Sequence, residues 1–151
     1  MSDTFYLVSQ GFSVAAALFA LWKGGAAERL AAGVVLFNLA VGSLCHWLSV
    51  DGDGLIRLGN DGLAAVALLV ITLRYGALWM GAVMLFYAAQ FSLHAYYLVT
   101  ERPPDYLHAL VNNINWYGVV WSLIIGAAMA WRQRIRAAKA EASKGEIAPA
   151  S

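Results

Sequence analysis

The sequence predicts an all-α integral membrane protein, a bundle of five transmembrane helices. Of its 151 residues, 61% are hydrophobic and only 13% are charged, whereas about a quarter of the residues in a soluble domain are charged. The mean hydropathy is +0.63. Apolar stretches recur along the chain, and a helix of about 20 residues crosses a hydrocarbon core of about 30 Å. This composition argues against a soluble enzyme domain and against a disordered chain.

The spans are predicted at about residues 5–22, 30–50, 55–74, 76–99 and 107–131. The first is not a cleaved signal peptide, because no Lys or Arg precedes it and no convincing cleavage site follows it. The apolar stretch from Leu63 to Val99 is too long for one helix. We divide it at Arg74-Tyr75-Gly76, since glycine beside a charge suits a tight interfacial turn. The third span then has to begin near Leu55 to reach full length.

The basic residues predict the orientation of the bundle. With the N-terminus outside and the C-terminus in the cytoplasm, eight of the ten Lys and Arg lie on the cytoplasmic side, as the positive-inside rule requires. A bundle of four spans would leave Arg74 in the membrane, which costs at least about 2.5 kcal/mol. Residues 132–151 then form a cytoplasmic tail that is basic, mixed in charge and partly disordered.

Several functions are excluded by composition and motifs. The net charge of +1 argues against a nucleic-acid partner. The single cysteine, Cys45, excludes an internal disulfide framework and any CxxC motif. Catalytic triads, phosphate-binding loops and dinucleotide glycine patterns do not occur in the sequence. The expected partners are the lipid bilayer and other membrane-protein subunits.

Polar side chains within the spans gather near the outer side of the membrane. Because polar groups are costly in a bilayer, their placement is informative. Gln90 and His94 are four residues apart and therefore share one helix face. Asn38 is nearly the only polar residue in the inner half, which argues against a channel. We predict a polar outer-leaflet site formed by His46, Asp61, Gln90, His94, His108, Asn112 and Asn115.

Small residues continue the polar stripe of the fifth span toward the inner side. Ser122, Gly126 and Ala130 recur every four residues and so lie on one face. Small residues let helix backbones approach closely in lipid. The spacing predicts a helix-packing face.

The predicted site is compatible with several kinds of chemistry. His46 and His94 lie at similar depth on different spans, as axial ligands of a haem b would. Asp61 with His94 or His108 would suit a proton relay or a quinone site. A local ion pair between Arg57 and Asp61, one helical turn apart, is the simpler interpretation.

A zinc or copper site is a further alternative. It would gather His46, His94, His108 and Asp61, with Cys45 as a fifth ligand. Since no two of these residues have tight local ligand spacing, we predict no metal site. We also predict no resident cofactor, with haem b or a quinone as the alternative.

Residues 61–94 resemble part of the small uncharacterised polytopic inner-membrane proteins of alphaproteobacteria. The likeness consists of Asp61 at the start of an Ala/Leu-rich helix, the segment Leu73-Arg74-Tyr75, an aromatic at Trp79, and then Gln90 and His94. It implies a bacterial origin and five spans, and no activity. Phe86–Gln90 is similar to a short piece of the tryptophan-rich sensory proteins, but the chain lacks their Pro- and Trp-rich loop after the first span.

These observations lead to a functional expectation. The chain is expected to be a non-enzymatic, multi-pass protein of the bacterial inner membrane, an accessory or assembly subunit of a membrane complex. A redox protein using His46 and His94 on the periplasmic side is one alternative. A holin-like or small transport protein is another.

Overall fold

The structure is a computed structural model that describes residues 3–48 and 55–147, which form five helices. They are α1 (Asp3–Lys23), α2 (Ala26–Leu48), α3 (Leu55–Tyr75), α4 (Leu78–Val99) and α5 (Tyr106–Ile147). Each predicted span matches one helix within a few residues, except that α5 continues well past residue 131. The predicted end of the second span at residue 50 lies outside the described residues. The all-helical prediction is confirmed for the part of the chain that the structure describes.

The helices form a closed ring in chain order. Each packs on the next, α5 returns to pack on α1, and α2 also touches α5 across the ring. Short connections make chain neighbours antiparallel, so the first turns of α1, α3 and α5 share one end of the bundle with the last turns of α2 and α4. We call this the cavity end. The opposite end is called the basic end, because it holds Lys23, Arg29, Arg74 and the last part of α5.

Two helices end in left-handed caps. Gly76 has a φ of 61° and its N–H donates to the carbonyl of Thr72 at 2.8 Å, which confirms the predicted turn between the third and fourth spans. At the end of α4, Glu101 has a φ of 52° and the Arg102 N–H donates to the Tyr97 carbonyl at 3.2 Å. This is a Schellman motif, in which glycine is usual because an L side chain is strained there.

The interior of the ring is apolar between its two ends. The largest fully buried side chains include Tyr87, Leu68, Met80, Leu123, Val35 and Val83. The outward face instead exposes large apolar side chains, among them Leu73, Leu78 and Leu85. Such a contiguous apolar exterior is what a lipid-facing surface requires.

Four of the described helices, α2 to α5, are long and apolar enough to cross a membrane. The 21-residue α1 completes the ring between α2 and α5. The fold is therefore an all-α bundle with four candidate membrane spans.

α5 is a single helix of 42 residues that projects from the basic end. Its residues 132–144 are exposed, and we call residues 132–147 the α5 extension. Arg134 turns back to the bundle, where its Nη1 donates to the Gly24 carbonyl at 3.1 Å and its Nη2 to the Lys23 carbonyl. The predicted, partly disordered tail is thus helical as far as Ile147.

Candidate functional site

A polar, partly open cavity of about 340 Å³ lies at the cavity end, lined by residues of all five helices. Sixteen residues line it: Tyr6, Ser9, Gln10, Asn38, Leu39, Gly42, His46, Arg57, Asn60, Asp61, Gln90, His94, His108, Asn112, Asn113 and Trp116. All three histidines of the chain are among them. A space of this size suits a small ligand, and its wall is unusually polar for the interior of a membrane bundle.

Asp61 is a buried carboxylate in this wall, with 4% of its surface exposed. Its Oδ1 accepts a hydrogen bond from Asn38 Nδ2 at 3.0 Å. Its Oδ2 lies 2.8 Å from His94 Nδ1, although these two atoms are not aligned as a hydrogen bond. Asp61 thus contacts His94 of α4, and the ion pair with Arg57 of its own helix that the sequence had suggested stays a prediction.

His94 connects α3, α4 and α5. Beyond its contact with Asp61, its Nε2 lies 3.1 Å from Asn112 Oδ1. Its ring stacks on His108 with 5.3 Å between ring centroids. One ring nitrogen is hydrogen-bonded and the other lies against the Asp61 carboxylate, so axial ligation of a haem would have to displace one of these contacts.

The loop before α5 supports His108 from outside the cavity. Asp105 caps α5, since its Oδ1 accepts the His108 N–H at 2.9 Å and the Tyr97 hydroxyl at 2.6 Å. The hydrogen bond from Tyr97, followed by that from the His108 N–H, lowers the pKa of the Asp105 carboxyl below its usual value. Tyr97 also packs edge-on against the His108 ring at 4.7 Å between centroids. The cap thereby holds the first turn of α5 against the last turn of α4.

The opposite wall comes from α1 and α2. The ring of Tyr6 lies 4.5 Å from that of His46, centroid to centroid, and His46 is exposed at the rim. Deeper on this side, Trp116 Nε1 donates to Ser13 Oγ at 2.8 Å, which ties α5 to α1. Tyr6 and Trp116 thus both contribute aromatic rings to the cavity wall.

Buried polar atoms near the cavity lack hydrogen-bond partners among the described residues. They include Gln10 Oε1, Tyr87 OH and Asn115 Nδ2. Gln10 lines the cavity, so its oxygen is an acceptor at the wall. Such atoms are rare, because leaving one unsatisfied costs about 1–3 kcal/mol.

Six of the seven predicted site residues line this cavity. The exception is Asn115, which is buried and is not part of the lining. Sequence reasoning missed Asn38, which it placed in the inner half although it bonds to Asp61. Tyr6 and Trp116 were also missed, and no signal in the sequence separates them from the other interfacial aromatics.

Among the described residues, no group of three or more His, Cys, Asp or Glu side chains is placed to hold a metal ion. His46 and His94 line the same cavity, as the haem hypothesis requires, but His94 is already engaged on both sides. Cys45 is a buried free thiol outside the lining. The expectation of no resident cofactor stays a prediction.

The predicted packing face of α5 receives aromatic rings. A Cβ on Gly126 would lie 2.5 Å from the ring of Trp79, and one on Gly118 would lie 2.5 Å from that of Phe86. Ser122, between them, is buried, whereas Ala130 is half-buried. The small residues therefore make room for α4 side chains on this face.

The basic end is closed by a second buried carboxylate, Glu28. Its Oε2 accepts the Gly25 N–H at 2.8 Å, which caps the first turn of α2. Its Oε1 accepts the Trp79 Nε1–H at 3.1 Å, and Trp79 fills the space over Gly126. These contacts join α2, α4 and α5 into a plug at the end opposite the cavity.

No protein-family model, curated protein or solved structure matches this chain. The class of the protein follows from its fold, and its function has to be argued from the polar cavity.

Proposed function

We propose that this is a non-enzymatic, multi-pass membrane protein that binds a small polar solute in the cavity. One observation carries the proposal: an apolar helical bundle holds a polar cavity of about 340 Å³ with the buried Asp61–His94 pair in its wall. Ionisable groups inside a membrane bundle are costly and usually mark a binding site or an ion pathway. The plug at the basic end favours binding from one side over a continuous pore.

The proposal includes an orientation. Five spans with the N-terminus outside, in a bacterial inner membrane, direct the cavity end to the periplasm. The support is the distribution of basic residues, since only Arg57 and Arg102 lie at the cavity end and the positive-inside rule directs the other end inward.

A cavity-filling substitution tests the binding function. Gly42 lines the cavity, and a Cβ there would meet nothing within 4 Å, so Gly42→Leu fills part of the cavity without a clash at Cβ. Gly33 on the same helix is exposed and equally open, which makes Gly33→Leu the matched control. We expect at least one small polar solute to raise the melting temperature of the wild type and of Gly33→Leu, and to have no effect on Gly42→Leu. A broad solute screen with no such difference would overturn the proposal.

A second candidate is an accessory or assembly subunit of a membrane complex. The observation that favours it is the α5 extension, a basic, exposed helix that projects from the bundle. Truncation after Trp131 removes it and leaves the membrane part of α5. In blue-native electrophoresis of mildly solubilised membranes, we expect the full chain to migrate in a larger assembly and the truncated chain to migrate alone. Migration of the full chain as a free monomer would contradict this role.

A further inference from the structure

The hydrogen-bonding inventory of the polar cavity indicates which solute it takes. Its wall offers acceptors: Gln10 Oε1 has no hydrogen-bond partner among the described residues, and Asp61 Oδ2 lies 2.8 Å from His94 Nδ1 without an aligned hydrogen bond. A ligand that satisfies both atoms has to bring several donors on one small group. A protonated amine has three donors and a positive charge.

The charges of the cavity favour the same ligand. Among the described residues, Asp61 is the single carboxylate of the lining, and its burial strengthens an ion pair formed within the site. Arg57 is exposed and lies four residues from Asp61, about 6 Å along the helix, where solvent screens its repulsion of a cation. The rings of Tyr6 and Trp116 in the wall add faces to which a cation is attracted.

Resting on the proposed function, we propose that the solute is a small protonated amine, whose ammonium group donates hydrogen bonds to the buried Asp61 carboxylate in the cavity wall.

Three probes of similar size test the ligand class. Propylamine is a cation, 1-propanol is neutral and propionate is an anion, and each is titrated into the purified full chain in amine-free phosphate buffer. We expect a saturable rise in melting temperature with propylamine alone. Equal stabilisation by 1-propanol or by propionate overturns the proposal.

Two substitutions locate the amine. Asp61→Asn removes the charge and Gln10→Met removes the unpaired acceptor, and we expect at least about tenfold weaker binding for the first and about fivefold for the second. Gln10→Met keeps the proposal testable if Asp61→Asn fails to fold. The controls are Glu141→Gln and Gln133→Met in the exposed α5 extension, which leave binding unchanged. Propylamine binding that survives both cavity substitutions refutes the assignment.

The outcomes separate this inference from the proposed function. If propanol, propionate or another solute binds the wild type and not Gly42→Leu, the cavity is a binding site but its ligand is not an amine. If no solute binds at all, both proposals are wrong.

Discussion

The two ends of the bundle each bury a carboxylate, and they use it differently. At the basic end, each oxygen of Glu28 accepts one aligned hydrogen bond, from Gly25 and from Trp79, and aromatic packing fills the space around it. At the cavity end, Asp61 has one aligned donor, Asn38, beside an open cavity. A fully satisfied buried group stabilises a fold, whereas a partly satisfied one beside a cavity is available to a ligand. The comparison assigns stability to one end and binding to the other.

The largest expected effect is at the basic end, where Glu28→Leu would leave two half-buried donors, Gly25 N–H and Trp79 Nε1–H, without an acceptor. Each such loss costs about 1–3 kcal/mol, so we expect destabilisation by about 3 kcal/mol. Glu141→Leu, in the exposed α5 extension, is the control and should change stability by less than about 0.5 kcal/mol. Reversible unfolding in mixed micelles measures both variants, and equal stabilities would show that Glu28 does not hold the plug together.

Gly126→Ala tests the packing of the same plug. Its new Cβ would lie 2.5 Å from the Trp79 ring, and overpacking of this kind costs about 1–3 kcal/mol. Gly42→Ala at the cavity end meets nothing within 4 Å and should stabilise its helix by about 0.5 kcal/mol. Equal melting temperatures for the two alanine variants would contradict the predicted difference in packing between the two ends.

Glu101→Gly should stabilise the protein by about 1 kcal/mol, because Glu101 has a φ of 52°, where an L side chain costs about 1–2 kcal/mol. The same change at Glu141, within the α5 helix, should destabilise its helix by about 1 kcal/mol. If the left-handed cap is correct, chemical denaturation gives changes in the free energy of unfolding of opposite sign for the two variants. A loss of stability in Glu101→Gly would rule that cap out.

The smallest expected effect is the acid sensitivity of the α5 cap. Since hydrogen bonds from Tyr97 and the His108 N–H lower the pKa of the Asp105 carboxyl, its contribution to stability is complete above the ordinary value of about 3.9. It is lost as the pH falls through the lowered value. Asp105→Asn keeps a capping side chain without the titration.

We therefore expect the melting temperature of Asp105→Asn to fall less between pH 6 and pH 3 than that of the wild type. Glu141→Gln, the matched change at an exposed acid, should follow the wild type over the same range. If the melting temperatures of Asp105→Asn and the wild type fall equally with pH, Asp105 does not contribute to the acid sensitivity of the protein.

Much of the fold could be predicted from the sequence, because helix number and ends depend on local properties. Hydropathy marks the spans, and the charge and glycine at Arg74-Tyr75-Gly76 mark the break between α3 and α4. The length of α5 was not apparent, since a polar, Ala-rich segment after a span can be helical or disordered on composition alone.

The site could be predicted only as a group of residues on one side of the bundle. Periodicity places Asp61 and Arg57 on one face of α3, but the rotation of α3 against α4 decides whether the carboxylate meets His94. That rotation depends on packing between distant segments, such as the approach of Phe91 to Gly62 within 3.5 Å of an added Cβ. The role of Asn38 was missed for the same reason. The sequence gives its approximate position along α2, but not that it meets Asp61 of α3.

The most direct test of the account is the water accessibility of the polar cavity from one side of the membrane. In a Cys45→Ser background, single cysteines at Gly42 and Gly33 lie on the same helix, one in the cavity wall and one on the exposed outer face. A membrane-impermeant thiol reagent is added to intact cells. The account predicts rapid labelling of Gly42→Cys, slowed by the solute that binds, and little labelling of Gly33→Cys in the lipid. Equal labelling of the two variants, or labelling of Gly42→Cys only after the cells are opened, would contradict it.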